Sequence, residues 1–260
     1  MKIGASTLAS NNLEEFLDLC SSLNLDYVEI VKTFPNHDFD KSLLESYDFN
    51  YSIHSPLIDM NICSLTDSIR EASMDELKSS MNDAEDIGAR FVVVHPGKIS
   101  YLGRPYEDEI YDLCVESFKE IRDFSEELDV IPLIENMPLI PGFMFMDIYH
   151  LDEVLQDLSM FMTFDVGHAF TYGFEENEMY TPRVKHVHIH DNNGDDDSHY
   201  TLGEGSIDFN RVFNIYDEKG YDGTYIIEAN DNVSLKNSME YFKTNIFIFN
   251  FLFIFFNFFS

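Results

Sequence analysis

Nine side chains of metal-ligand type recur where apolar runs of this chain give way to loops: His54, His95, Glu135, Asp165, His168, His188, Asp197, His199 and Glu228. Imidazole and carboxylate together suit zinc, manganese, iron or cobalt better than calcium or magnesium, which prefer oxygen alone. Each position taken singly has a plainer reading. A lone histidine at a strand end is commonly a hydrogen-bonded polar residue, a glutamate can pair with a lysine, and Asp165 with His168 has the spacing of a helix N-cap. Four carboxylates gathered away from water would repel one another unless cations neutralised them. The set, rather than any member, therefore predicts a metal site.

The densest stretch is Val184-Lys185-His186-Val187-His188-Ile189-His190-Asp191-Asn192, followed by Gly194 and a polar loop through Asp197 and His199. Apolar residues alternating with others read as a half-buried strand, which puts His186, His188 and His190 on one face. His188 is the candidate ligand; His186 and His190 would lie below and above it as supports. His37 and His150 fall in predicted loops and are expected to be solvated.

Six strands and their loops carry these residues, and eight strands can be read in all. They are residues 1–6, 27–30, 51–54, 91–95, 130–135, 162–165, 184–190 and 225–228. Phe91-Val92-Val93-Val94 is apolar throughout, as a strand covered on both faces should be. Helices are predicted between them: one capped by Asn11 or Asn12, a short one at Leu43 and Leu44, then 67–87 closed by Gly88, 106–128, 151–158, and 209–219 ended by Gly220. Strand–helix alternation predicts a parallel sheet, and eight units in about 240 residues predict a single-domain (β/α)8 TIM barrel. The first strand lacks a glycine-rich nucleotide loop, which weighs against a doubly wound open sheet. In a barrel the C-terminal strand ends meet at one mouth, and the nine residues lie at or just beyond such ends.

The totals narrow the function. Sixteen lysines and arginines face 48 acids, a net charge of −32. Phosphate backbones are gripped by cations, so a nucleic-acid partner is disfavoured, although a proteome acidic throughout would give the same balance. Arg70, Lys98, Arg104 and Arg183 are the cations available for a phosphate group, each with a surface reading beside it. Cys20, Cys63 and Cys114 are too widely spaced for a disulfide framework and read as reduced thiols. With no charged-then-apolar opening, they point to a cytoplasmic protein.

The motifs His54-Ser-Pro, Val94-His95-Pro-Gly, Glu135-Asn136, Asp165-Val-Gly-His168, His188-Ile-His190-Asp191, Asp197-Ser-His199 and Leu202-Gly203-Glu204-Gly205 resemble the xylose isomerase-like barrel superfamily across about Met1–Tyr241. That group includes sugar-phosphate isomerases and epimerases and endonuclease IV (AP endonuclease family 2). The resemblance implies one of two sites. In the epimerase branch one divalent ion, zinc or manganese, is held by Glu135, Asp165, His188 and Glu228. The two glutamates act there as acid and base through an enediol, and His168, His190 and Asn136 contact the substrate. In the endonuclease IV branch all nine residues hold three zincs and cleave a phosphodiester at abasic-site DNA. The stretch from Leu57-Ile58-Asp59-Met60-Asn61 to Arg70-Glu71 resembles the isomerase branch more closely, and residues 7–12 and 33–40 carry no arginine to bend DNA. The expectation is a metal-dependent sugar or sugar-phosphate isomerase or epimerase with a small-molecule partner, compatible with a homo-oligomer.

Residues 243–260 form a Phe-rich tail read as lying outside the barrel at 1–242. Its apolar part is shorter than the roughly 20 residues of a membrane span. It reads rather as a partner-binding segment or a shifted reading frame, disordered or poorly packed. Deleting residues 243–260 should leave activity and the thermal unfolding transition in place; failure of the truncated chain to fold would mean that the tail completes the last helix.

Overall fold

The computed structural model describes residues Met1–Asn245. Among them eight parallel strands close into a barrel in sequence order: β1 (Lys2–Ser6), β2 (Tyr27–Val31), β3 (Asn50–His54), β4 (Phe91–Val94), β5 (Ile131–Glu135), β6 (Phe161–Asp165), β7 (Val184–Ile189) and β8 (Thr224–Ile227). Each strand is followed by one helix: α1 (Leu13–Leu23), α2 (Lys41–Leu44), α3 (Asp67–Asp86), α4 (Glu107–Ser125), α5 (Ile148–Leu158), α6 (Val166–Tyr172), α7 (Phe209–Glu218) and α8 (Asn232–Asn245). The expected (β/α)8 architecture is what the chain adopts.

The helix starts are set by local chemistry. Asn12 caps α1 by accepting from the Glu15 N–H, Asp147 caps α5 and Asp208 caps α7. The cap at Asp147 moves α5 three residues upstream of the expected Leu151. His150 therefore sits in the first turn of a helix, not in a loop, although it is exposed as expected. Helix α6 is absent from the sequence reading, because its seven residues begin directly at the strand-ending Asp165, which is both the last residue of β6 and the N-cap of α6. The last helix runs to Asn245, past the boundary drawn at 242, with Phe242 buried and the Lys243 ammonium 3.3 Å from the Leu23 carbonyl. The rest of the Phe-rich tail lies outside the described residues.

Two kinds of burial divide the work. Between strands and helices the packing is apolar: Val28, Ile30, Val92, Val94 and Phe164 are fully buried along with Phe16, Leu77, Met81, Phe118 and Leu151. Inside the barrel Glu29, Ser52, Thr163, His186, His188 and Thr224 are buried polar groups. Contact between Glu29 on β2 and His186 on β7, which are not neighbouring strands, places both in the interior. Burying apolar surface in the outer layer stabilises the fold by roughly 25 cal/mol per Å². That leaves the interior free to carry groups that contribute chemistry rather than packing. The three cysteines are buried and unpaired, with burial pushing the Cys20 thiol up to about 12 and Cys63 up to about 11, which leaves them poor nucleophiles.

The barrel closes tightly where β1 meets β2 and β8. A Cβ on Gly4 would fall 2.6 Å from both the Cβ and the carbonyl oxygen of Tyr27 and 2.7 Å from Ile226 Cδ1. Gly4→Ala should therefore destabilise the protein by about 1–3 kcal/mol through overpacking, measured by denaturant unfolding. An unchanged midpoint would show that the closure is looser than these distances.

Candidate metal centre

Strand β7 supplies the middle of the site. Its period of two turns His186 and His188 inward, and His190 follows just past the strand end; all three are fully buried. The register sets Asp165 of β6 level with His188. Around His188 Nδ1 converge Glu135 Oε1 at 2.9 Å, Glu228 Oε1 at 3.5 Å and Asp165 Oδ2 at 4.0 Å. Ligand atoms of Glu135, Asp165 and His188 lie within 4.8 Å of one another.

Glu135 faces two ways. Its Oε1 meets His188, while its Oε2 is 2.9 Å from His95 Nε2 and 3.3 Å from His54 Nε2. His54, His95 and Glu135 thus form a second group of ligand atoms within 4.8 Å. A third group brings together His168, His190, Asp197 and His199. In it Asp197 Oδ2 is 3.3 Å from His168 Nε2, and its Oδ1 is 3.3 Å from both His190 Nε2 and His199 Nε2. The His190 and His199 rings stack at 3.9 Å.

The loop carrying Asp197 and His199 is held by backbone chemistry. Asp191 and Tyr200 exchange two backbone hydrogen bonds, returning the chain to the strand end. The buried Asp191 carboxylate accepts from the N–H groups of Gly203, Gly205 and Ile207. Asn230 donates to the carbonyls of Ser198 and His199. His95, Asp197 and His199 keep 26%, 20% and 19% of their side chains exposed, so the site opens to the mouth on that side. Beside His95 a cavity of about 150 Å³ is lined by Ser55, Pro56, Asn61, Gly97 and Lys98. Of the four candidate cations for a phosphate, Lys98 is the one in that lining; Arg183 lies at the opposite end of the barrel, donating to the Met160 carbonyl. Arg70 is tied to Ser64 and Asp67, and Arg104 lies over the Tyr101 ring.

Two observations bear on whether these residues fit a divalent ion. Asp165 Oδ2 is buried and has no hydrogen-bond partner, a costly state for a carboxylate oxygen. The imidazoles are also turned so that both nitrogens face acceptors. His54 Nδ1 donates to the Ser55 carbonyl at 2.9 Å and His168 Nδ1 to the Asn136 carbonyl at 2.7 Å, which fixes each Nε2 as the nitrogen aimed at a carboxylate. A neutral imidazole whose proton is spent on one side can meet a carboxylate on the other only through a second proton or a cation. The donor set fits a divalent metal.

The electrostatics carry the same tension. Burial pushes Glu135 up, but His188 and His95 outweigh it and hold its carboxyl well below the usual range; His168 and His190 likewise hold Asp165 down. Burial also opposes charge on the histidines. For His188 the carboxylates Glu228, Glu29 and Glu135 outweigh it and raise the ring well above its ordinary value, whereas for His95 burial wins and lowers it.

All nine expected ligands are at this end of the barrel, and the structure sharpens the parts of His190 and Asn136 and adds Gly167 and Glu29. His190, read as a support, belongs with His168, Asp197 and His199. Gly167 makes room for it, since a Cβ there would lie 2.1 Å from the ring. Asn136, read as a substrate contact, spends both ends of its amide on the Asp165 backbone, so touching a substrate would require giving up those bonds. Glu29 was not among the candidates. It is fully buried, 2.9 Å from His186 Nε2, 2.9 Å from Ser52 Oγ and 3.0 Å from His188 Nε2. An acid in the middle of Tyr27-Val28-Glu29-Ile30 was the available signal.

Residues 17–245 match the profile of the xylose isomerase-like TIM barrel family. An uncharacterized protein of Methanocaldococcus jannaschii is 31% identical over 96% of this chain and 91% of its own length. An inosose dehydratase of Yersinia enterocolitica is 27% identical over 70% of this chain and 74% of its own. Among solved structures, a D-tagatose 3-epimerase-like protein superposes with a TM-score of 0.88 at 31% identity, covering 96% of this chain and 98% of that one.

The third group sets a pH dependence. Burial lowers His168 and His199, but Asp165 and Asp197 outweigh it for His168, raising it to about 10, and Asp197 and Glu228 outweigh it for His199, raising it to about 9. Both folded values lie above the ordinary 6.5. The stabilisation they give is therefore complete below about 6.5 and lost as pH rises through about 9 and then about 10. Protein stripped of metal by a chelator should melt at progressively lower temperature as pH is raised through that range, and a flat profile would contradict the pairing.

Proposed function

This chain belongs to the xylose isomerase-like TIM barrel family, and we propose that within it the protein is a divalent-metal-dependent isomerase or epimerase of a small sugar or sugar phosphate. One observation carries the reading: Glu135 and Glu228 approach the same His188 nitrogen, at 2.9 and 3.5 Å, from strands separated by β6 and β7. Two carboxylates arriving from different directions at one polarising centre are what removal and return of a carbon-bound proton requires.

Glu135, Asp165, His188 and Glu228 would hold the ion. When bound, a zinc or manganese ion there supplies Lewis acidity to a ketose carbonyl and its neighbouring hydroxyl. One glutamate then takes the proton from the adjacent carbon, leaving an enediol, and the other delivers a proton to the opposite face. The neighbouring imidazoles keep Glu135 ionised, as a base must be. His168, with its Nε2 toward the open side, and His190 would orient the hydroxyls, and Lys98 is placed to meet a phosphate if the substrate carries one. Loss of a hydroxyl after the same proton abstraction would turn the reaction into a dehydration, the activity named in the inosose dehydratase relatives. Buried, unpaired cysteines accord with a cytoplasmic enzyme.

The assembly of the His54–His95–Glu135 and His168–His190–Asp197–His199 groups beside the central one favours a second reading, a multi-zinc phosphodiesterase acting on abasic-site DNA. Against it stand the net charge of −32 and loops at 7–12 and 33–40 without a single lysine or arginine. The nearby Lys32 is buried and paired with Asp83.

In deuterated water, wild-type protein with manganese should exchange deuterium into a ketose substrate. Glu135→Gln and Glu228→Gln should each reduce that exchange by at least about 100-fold, the contribution typical of a general acid or base. Exchange persisting in both variants would remove the glutamates as acid and base. Efficient nicking of an abasic-site duplex at low salt would replace the lead reading with the second.

A further inference from the structure

We infer that Glu29 is a positioning residue for the metal centre: it fixes the orientation and tautomer of His188 from beneath, so that Nδ1 rather than Nε2 is presented to the ion. The inference rests on the reading of Glu135, Asp165, His188 and Glu228 as metal ligands and goes beyond it to a residue outside that set.

The argument starts from cost. A carboxylate with no exposed surface in the middle of a barrel is expensive unless charge and hydrogen bonds compensate it. Glu29 has such partners, and they are shared out between its two oxygens. Oε2 accepts from Ser52 Oγ at 2.9 Å, from the residue that the strand register sets beside it, and lies 2.9 Å from His186 Nε2 across the barrel. Those contacts hold the carboxylate still. Oε1 is left over, and it faces His188 Nε2 at 3.0 Å. The two atoms sit outside hydrogen-bond alignment, and neither has another hydrogen-bond partner. A small rotation of the ring, pivoting on its Nδ1 contact with Glu135, would bring the two atoms into line.

The other pinned imidazoles follow the same rule with different partners. His54 and His168 each spend Nδ1 on a backbone carbonyl and aim Nε2 at a carboxylate of the site. His188 is inverted: Nδ1 faces Glu135, Asp165 and Glu228, and the nitrogen behind it meets an acid. An ionised carboxylate accepts but cannot donate, and carboxylates face both nitrogens; with an ion in place of the proton on Nδ1, Glu29 would hold the remaining proton on Nε2 and leave the Nδ1 lone pair to the metal. It also makes the imidazole a stronger donor. Ser52 and His186 are the clamp that keeps Glu29 in place to do so.

The test compares wild type, Glu29→Gln and Ser52→Ala as full-length, chelator-stripped proteins titrated with cobalt(II), zinc(II) and manganese(II) against a chromophoric chelator. Wild type should bind. Glu29→Gln, nearly isosteric, should bind about 10–100-fold more weakly, and the visible absorption band of its cobalt-saturated form should shift, because the ring donates less and is held less firmly. Ser52→Ala keeps the charge but loosens the clamp and should lose roughly fivefold or more through the loss of one hydrogen bond to the carboxylate; it carries the test alone if Glu29→Gln does not fold. Unchanged affinity and an unchanged cobalt band in the folded variants, with only the melting temperature altered, would overturn the inference and leave Glu29 a structural residue. A wild-type protein that binds none of the three ions would instead overturn the metal reading on which the inference stands.

Discussion

Glu29, Glu135, Asp165 and Glu228 are all withdrawn from water inside one barrel, within reach of a single imidazole. Desolvated like charges at such separations repel strongly in a medium that screens poorly. The fold tolerates them by threading histidines between them. His54, His95, His188 and His190 each stand within 3.3 Å of a carboxylate oxygen of the set, His168 lies 3.8 Å from both Glu135 and Asp165, and His199 hangs over the opening from its loop. The same compensation can be supplied by protons or by a divalent ion, and on the proposed reading that exchange is the basis of the chemistry. Carboxylates and imidazoles so arranged gain by capturing a metal, because capture replaces protons that burial makes costly to hold.

The remainder of the molecule supports that arrangement. Stability comes from the layer between strands and helices, where Phe16, Leu77, Phe118, Leu151 and Phe164 are fully buried or nearly so. The interior is thereby released from packing and can be polar down to Glu29 and His186, below the candidate ligands. Strand ends on β5 and β6 fix Glu135 and Asp165, β7 fixes His188, and Glu228 follows β8; the rigidity of the sheet becomes the precision of the site. Of the residues bordering the mouth, His95 directly follows β4, whereas Asp197 and His199 hang from a longer loop. There Asp191 acts as a staple, one buried carboxylate gathering three backbone N–H groups.

The barrel was legible in the sequence because period-two strands and period-3.6 helices leave separate signatures, and the strand ends because a ligand-type residue after an apolar run stands out. Helix α6 was not legible: seven residues beginning on the last residue of a strand leave no room for a pattern to develop. His150 was misplaced because its cap, Asp147, lies within a stretch read as loop, so α5 begins a turn early. Glu29 escaped for a different reason. It lies inside a strand rather than at its end, and its importance depends on His186 and His188, 157 and 159 residues away in the chain, a proximity that only barrel closure creates. Asn136 sits in a recognisable motif, yet its two hydrogen bonds to the Asp165 backbone can be seen only once β5 and β6 are side by side.

The measurement that bears most directly on this account is an anomalous-scattering difference map from crystals of the full chain grown with manganese, whose absorption edge identifies the ion. The account predicts a peak bounded by Glu135, Asp165, His188 Nδ1 and Glu228, on the side of the His188 ring away from Glu29. No peak at saturating manganese, or an ion bound only outside that set, would contradict it.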